Sequence, residues 1–157
     1  MPTGAEFLYQ SAILDCWSRR VVGWACGPIL HASLALTALH QAIQESRPAP
    51  GLLHNPDQGV EYASGEYRQA LQVAGLNRSM SGHGNCYDHA MIEYFWSTNK
   101  TETCLDSVGP LDRRAADSFI FDYIGCFFNS SRSHSSLGYL SPAAFEKQPT
   151  IKDASAA

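Results

Sequence analysis

Apolar positions along this chain switch between two periods, and the switches mark out its elements. Phe7 to Leu14 (FLYQSAIL) and Arg20 to Cys26 (RVVGWAC) are short runs rich in branched and aromatic residues, which predicts two strands. The five residues DCWSR between them leave room only for a tight connection, so the two strands form a hairpin. After Pro28 the period lengthens. Ala32, Ala35, Leu36, Leu39, Ala42 and Ile43 fall on one helical stripe, which predicts a helix over Ala32 to Glu45, ended by RPAPG. Leu52 to His54 is a short buried strand.

A second helix starts after Ser64, a good N-cap, with Tyr67, Ala70, Leu71 and Ala74 inward, and Gly75 closes it. Leu76 to Met80 fits one more strand, and the glycine-rich stretch Ser81 to Cys86 a loop. A third helix is predicted from about Asp88 to Glu102. A fourth covers Arg113 to Phe128, with Ala116, Phe119, Ile120, Tyr123, Ile124 and Phe127 at helical spacing. Ser141-Pro142 opens a short last helix, and IKDASAA reads as a frayed tail. Strands interleaved with helices give an α/β class, organised as one domain over 1–146 with a tail at 147–157.

Composition adds little that conflicts. The 157 residues are 45% hydrophobic and 17% charged, as in a globular domain. No apolar run reaches the length of a membrane span and no leader pattern opens the chain, so the expectation is a cytoplasmic protein without membrane contact. Five scattered cysteines, none in a CxxC pair, read as reduced and mostly buried thiols rather than a zinc site. The formal charge of −4 works against DNA binding, which draws its affinity from Lys and Arg on phosphates.

The chemistry concentrates between Leu52 and Glu102. Thirty-five residues separate Asp57, in the turn sequence PDQG beyond a short strand, from Glu93, early in the third helix. Two carboxylates so placed can face one hard divalent cation, which takes oxygen ligands and often only one or two protein carboxylates. Helical spacing puts His89, Ser97 and Lys100 on the face of Glu93. Asp57 also suits a plain turn, Glu93 a solvated helix face and Lys100 a solvated lysine.

The segments NPDQGVEYAS, MSGHGNCYDHAMIEYF, STNKTE and RSHSSLGYLSPAAFE, in that order, resemble the catalytic core of insertion-sequence transposases related to retroviral integrases. The resemblance implies an RNase H-like fold, a mixed sheet flanked by helices, and an Asp-Asp-Glu triad binding Mg²⁺ or Mn²⁺ for DNA strand transfer. It assigns Asp57 and Glu93 as the second and third acids. It also makes Lys100, Arg132 and His134 candidate DNA contacts, with Arg113 and Arg114 as further phosphate candidates. Implied partners are transposon-end and target DNA, with a homo-oligomer or a full-length transposase as protein partner.

In the family the first acid lies on a central strand just before a segment like PTGAEFLYQSAILDCWSRRVVGW, here found at residues 2–24. The fold expected is therefore an RNase H-like one lacking its first strand, with a half-complete metal site and no catalysis. The alternatives are a non-catalytic protein that joins and inhibits full-length transposase, or a decayed fragment. Asp15 occupies a hairpin position outside the triad. His54 and His134 read as a core-edge and a surface imidazole. Asn99, where an apolar residue is usual, would bury an amide, and Trp96 would crowd its site.

Overall fold

The computed structural model describes residues 2–3, 6–56, 62, 64–79, 86–103 and 113–149. Its elements are β1 (Pro2–Thr3), β2 (Glu6–Phe7), β3 (Tyr9–Leu14), β4 (Val21–Gly27), α1 (Ala32–Ser46), β5 (Leu53–His54), α2 (Gly65–Val73), β6 (Asn77–Arg78), α3 (Cys86–Thr103), α4 (Arg113–Asp122) and α5 (Pro142–Glu146). A π-helical turn, Tyr123–Phe128, continues α4, and a 3-10 turn, Ser135–Leu137, precedes α5.

The β3–β4 hairpin organises the rest. Its antiparallel register runs from Tyr9 opposite Gly27 to Ile13 opposite Gly23, and slips between Ile13 and Leu14. The turn is tied by Asp15, whose Oδ2 accepts from the Ser18 amide at 2.9 Å and hydroxyl at 2.6 Å. Helices cover both faces. Ile13 and Ala25 pack with Leu34 and Ala38 of α1. Ala12, Leu14, Trp24 and Cys26 pack on a core built from Leu8, Phe95, Ile120, Ile124 and Phe128. Two covered faces explain the imperfect alternation of the strand sequences, since neither side needs polar residues. Gly23 is where α1 comes closest: a Cβ there would collide with the Ala38 carbonyl oxygen and the Ala42 amide.

The second core joins Ala35 and Leu39 of α1 to Tyr67 and Leu71 of α2 and to Leu76. Because α1 packs on both the hairpin and α2, its buried arc is wider than the predicted stripe and includes Leu34 and Ala38. Ser64 caps α2, its Oγ accepting from the Tyr67 amide at 3.2 Å. Gly75 turns the chain at φ 69°, and β6 then pairs with β5 in parallel, Leu53 opposite Asn77 and His54 opposite Arg78. His54 Nε2 and the Tyr67 hydroxyl share a 2.8 Å hydrogen bond. Burial, with Arg78 nearby, lowers the His54 pKa to about 4, so the ring is neutral.

The described strands form three two-stranded pairs, β1–β2, β3–β4 and β5–β6, with helices packed around them. Three expectations need correction. Helix α3 starts at Cys86, inside the stretch read as a loop. Cys16 and Cys126 are exposed and Cys26 half-buried, so none of these three thiols is fully buried as expected. The fourth helix ends in a π turn in which the Asn129 amide donates to the Ile124 carbonyl, five residues back, at 3.0 Å. That wider turn rotates the apolar stripe by one position. Phe128 is buried at 1% exposure, while Phe127 stands at 44%.

The π turn delivers Asn129 to β4. Its Oδ1 accepts from the Val21 amide and its Nδ2 donates to the Val21 carbonyl, both at 2.9 Å. Its own carbonyl accepts from the Ala143 amide at 2.9 Å, which seats α5. Ser141 caps α5 through the Ala144 amide. Asn99 is fully buried, as feared from its sequence, and only half satisfied: Nδ2 donates to Gln10 Oε1 at 3.1 Å, and Oδ1 has no partner among the described residues. Trp96 is accommodated half-buried against Phe95, with ring centroids 4.9 Å apart.

Candidate active site

Helix α3 carries the site candidates on two faces. Glu93, Ser97 and Lys100 are all exposed, and Lys100 lies in the last turn, where a cation meets the negative helix end. Seven residues of helix separate Glu93 from Lys100 by about 10 Å. No ion pair holds either side chain among the described residues. Asp57 lies outside the described residues; the chain is placed as far as Pro56, beyond the end of β5. The side chains of Asp88, His89 and Arg113 are likewise not described, and Arg114 is exposed. Asp15 is committed to its hairpin turn through Ser18. Among the described residues, no group of three or more His, Cys, Asp or Glu could hold a metal ion.

A second face, Tyr94 and Glu102 eight residues on, meets the segment after the π turn. Arg132 Nε donates to Glu102 Oε1 at 2.8 Å and Oε2 at 3.0 Å, and its Nη2 lies 2.8 Å from Oε1. The guanidinium also packs over the rings of Tyr94 (5.8 Å) and Phe128 (5.7 Å). The Tyr123 hydroxyl donates to Glu102 Oε2 at 2.7 Å. Burial pushes the Glu102 carboxyl up, but the bonds from Arg132 and Tyr123 outweigh it and hold the group below its ordinary value. The Arg132 pairing raises that guanidinium further, and its hydrogen bond lowers the Tyr94 phenol. Burial, then the Glu102 bond, pushes the Tyr123 phenol up.

His134, read from sequence as a surface imidazole, is buried at 5% exposure with its ring edge-on to Phe128, centroids 5.0 Å apart. Burial and the charge of Arg132 lower its pKa. The structure thus gathers Arg132 and His134 on one side of α3 and leaves Lys100 with Glu93 on another. Glu102, Tyr94 and Tyr123 belong to this cluster yet stood in the sequence only as parts of motifs or stripes. The one available signal was the i, i+8 spacing of Tyr94 and Glu102.

Two models described as integrase core domain match the chain, one over residues 1–86 and the other over 93–149. The chain belongs to the integrase core domain family. Relatives of this integrase core include the transposase for insertion sequence element IS904 of Lactococcus lactis, 39% identical over 94% of the chain and 58% of the relative. The transposase InsF for insertion sequence IS3fB of Escherichia coli is 38% identical over 93% of the chain and 50% of its own length. An uncharacterized 31 kDa protein of insertion element IS600 from Shigella sonnei is 40% identical, over 93% and 53%. The chain thus spans about half the length of the curated relatives it matches.

Among solved structures, the integrase core is similar to a chain of the simian T-cell lymphotropic virus intasome, with TM-score 0.73, 16% identity, and coverage of 95% of this chain and 51% of that one. The HTLV-2 integrase catalytic core domain in complex with magnesium superposes with TM-score 0.57 at 14% identity, covering 94% of this chain and 99% of that one. These likenesses identify the fold as that of integrase catalytic cores, the RNase H-like class. No helix among the described residues is long and apolar enough to cross a membrane.

Proposed function

We propose that this integrase core serves an insertion-sequence transposase in metal-dependent strand transfer on DNA, with Asp57 and Glu93 as carboxylate ligands of Mg²⁺ or Mn²⁺. The observation that carries this reading is the exposed face of α3, where Glu93 has no ion pair among the described residues and stands one turn before Ser97 and two before Lys100. Exposed carboxylates are the right donors for a hard cation that keeps several waters and a phosphate in its shell. When bound, such ions activate the attacking oxygen and neutralise charge at the phosphodiester.

The protein's own part is positioning. Helix α3 fixes Glu93 against the core through Phe95, and Lys100, about 10 Å further along, offers a phosphate contact that sets DNA register without reading sequence. Arg132 and His134, as phosphate contacts, would first have to leave Glu102 and the Phe128 ring. With 11 basic against 15 acidic residues, the chain has few cations for phosphate, which keeps DNA binding weak. Asp15 lies outside this proposed pair, its Oδ2 accepting from the Ser18 amide and hydroxyl.

Calorimetric titration of Mg²⁺ and Mn²⁺ into the chain, Asp57→Asn and Glu93→Gln tests the reading. Saturable binding that either substitution abolishes is the expected result. Folded protein that binds neither ion, or variants that bind as well as the parent, would overturn it. A second reading, association with another transposase chain, is favoured by the apolar side chains of Ile29, Leu30, Leu52 and Leu53, all more than half exposed. Sedimentation equilibrium distinguishes it: a monomer at all concentrations, indifferent to an added full-length relative, excludes such association.

A further inference from the structure

Glu102 lies in the last turn of α3, and both of its oxygens are engaged. Oε1 stands 2.8 Å from both Nε and Nη2 of Arg132, and Oε2 accepts from the Tyr123 hydroxyl at 2.7 Å. Arg132 is held in turn. Its Nη2 donates to the Tyr94 hydroxyl at 3.4 Å, its guanidinium packs over the Tyr94 and Phe128 rings, and its backbone amide donates to the Phe127 carbonyl at 2.8 Å. Only 15% of the Arg132 side chain is exposed. A lone surface ion pair contributes little, but a two-donor fork backed by a phenol and two rings keeps its geometry.

Direction around the helix decides what this clamp can reach. At about 100° per residue, Lys100 falls within about 20° of Glu93, whereas Glu102 lies about 200° from Lys100. Arg132 therefore meets α3 on the flank opposite the exposed Glu93, Ser97 and Lys100. The helix stands between Arg132 and a phosphate held at Lys100. What Arg132 does control is the helix end. The last turn of a helix has carbonyls without intrahelical partners and frays unless something outside holds it.

We infer that Arg132 is a positioning residue and not a phosphate contact: through Glu102 it fixes the last turn of α3, and with it the direction in which Lys100 meets DNA. The inference rests on the reading of Lys100 as a phosphate contact. It gives Glu102 a role opposite to the one its charge suggests. A carboxylate two residues from a phosphate-binding lysine repels DNA when it is free; paired with Arg132, it holds that lysine in place.

The test is fluorescence anisotropy with a short labelled DNA duplex at several salt concentrations. It compares the 157-residue chain, Glu102→Gln, Arg132→Gln, Lys100→Gln and the two double variants that include Lys100→Gln, each checked for folding by circular dichroism. Lys100→Gln should lower the salt slope by about one, as the loss of one phosphate contact does. Glu102→Gln should weaken binding about threefold or more, although it removes a negative charge. Arg132→Gln should weaken it too. In the Lys100→Gln background neither substitution should weaken it further, because both act through that lysine. An Arg132 that bound phosphate itself would be freed by Glu102→Gln, which would then tighten binding, and the Arg132 and Lys100 losses would add. Either result, or unchanged affinity in both Glu102→Gln and Arg132→Gln, overturns the inference and leaves the DNA reading standing. A folded parent chain that binds no duplex overturns both.

Discussion

Asn129 is the residue whose loss should cost this fold most for its size. Its amide closes two 2.9 Å hydrogen bonds on the amide and carbonyl of Val21, a residue 1% exposed. Asn129 thus acts as a one-residue strand against β4, 108 positions away in sequence. In Asn129→Ala both Val21 groups stay buried and lose their partners, at about 1–3 kcal/mol each. We expect a loss of about 3–4 kcal/mol, a large share of the roughly 5–15 kcal/mol that holds a domain together.

Asn129→Asp separates this cause from simple truncation. Its carboxylate can still accept from the Val21 amide but cannot donate to the carbonyl, and it buries a charge. Burial raises the folded-state pKa of such a group, so its penalty should shrink as pH falls and an O–H donor appears. The assay is urea unfolding followed by tryptophan fluorescence and circular dichroism, across pH. A loss below about 1 kcal/mol in Asn129→Ala, or an Asn129→Asp penalty that does not ease in acid, would refute the reasoning.

Two further outcomes follow from the packing. Phe128→Ala should cost about 3–5 kcal/mol, and Phe127→Ala under about 1 kcal/mol, since only the former side chain fills the core; similar losses in urea unfolding would mean the π turn is misplaced. For His54, the folded pKa of about 4 lies below the ordinary 6.5. Between these values the unfolded chain binds the extra proton. Stability should therefore fall by about 2–3 kcal/mol as pH drops through that window, and His54→Gln should flatten the dependence. Equal slopes for both proteins would show that the ring is not the titrating group.

What the sequence determined by itself was local. The turn residues, the Ser64 and Ser141 caps, the Gly75 stop and the helical stripes act over a few positions, so their physics is written where they stand. Helical spacing placed Glu93 and Lys100 on one face for the same reason, since position along a helix needs no tertiary contact. Even there a single π turn moved the buried aromatic from position 127 to 128, because stripe arithmetic assumes a uniform helix.

Only the tertiary structure decided the rest. Arg132 meets Glu102 across thirty positions, Asn129 meets Val21 across 108, and His134 is buried because Phe128 closes on it. A polar residue in a loop carries no local sign of its distant partner, and its role depends on which surfaces the hydrophobic cores press together. The hairpin turn, α3 and the segment after the π turn meet for that reason: apolar packing, not any local signal, brings them side by side.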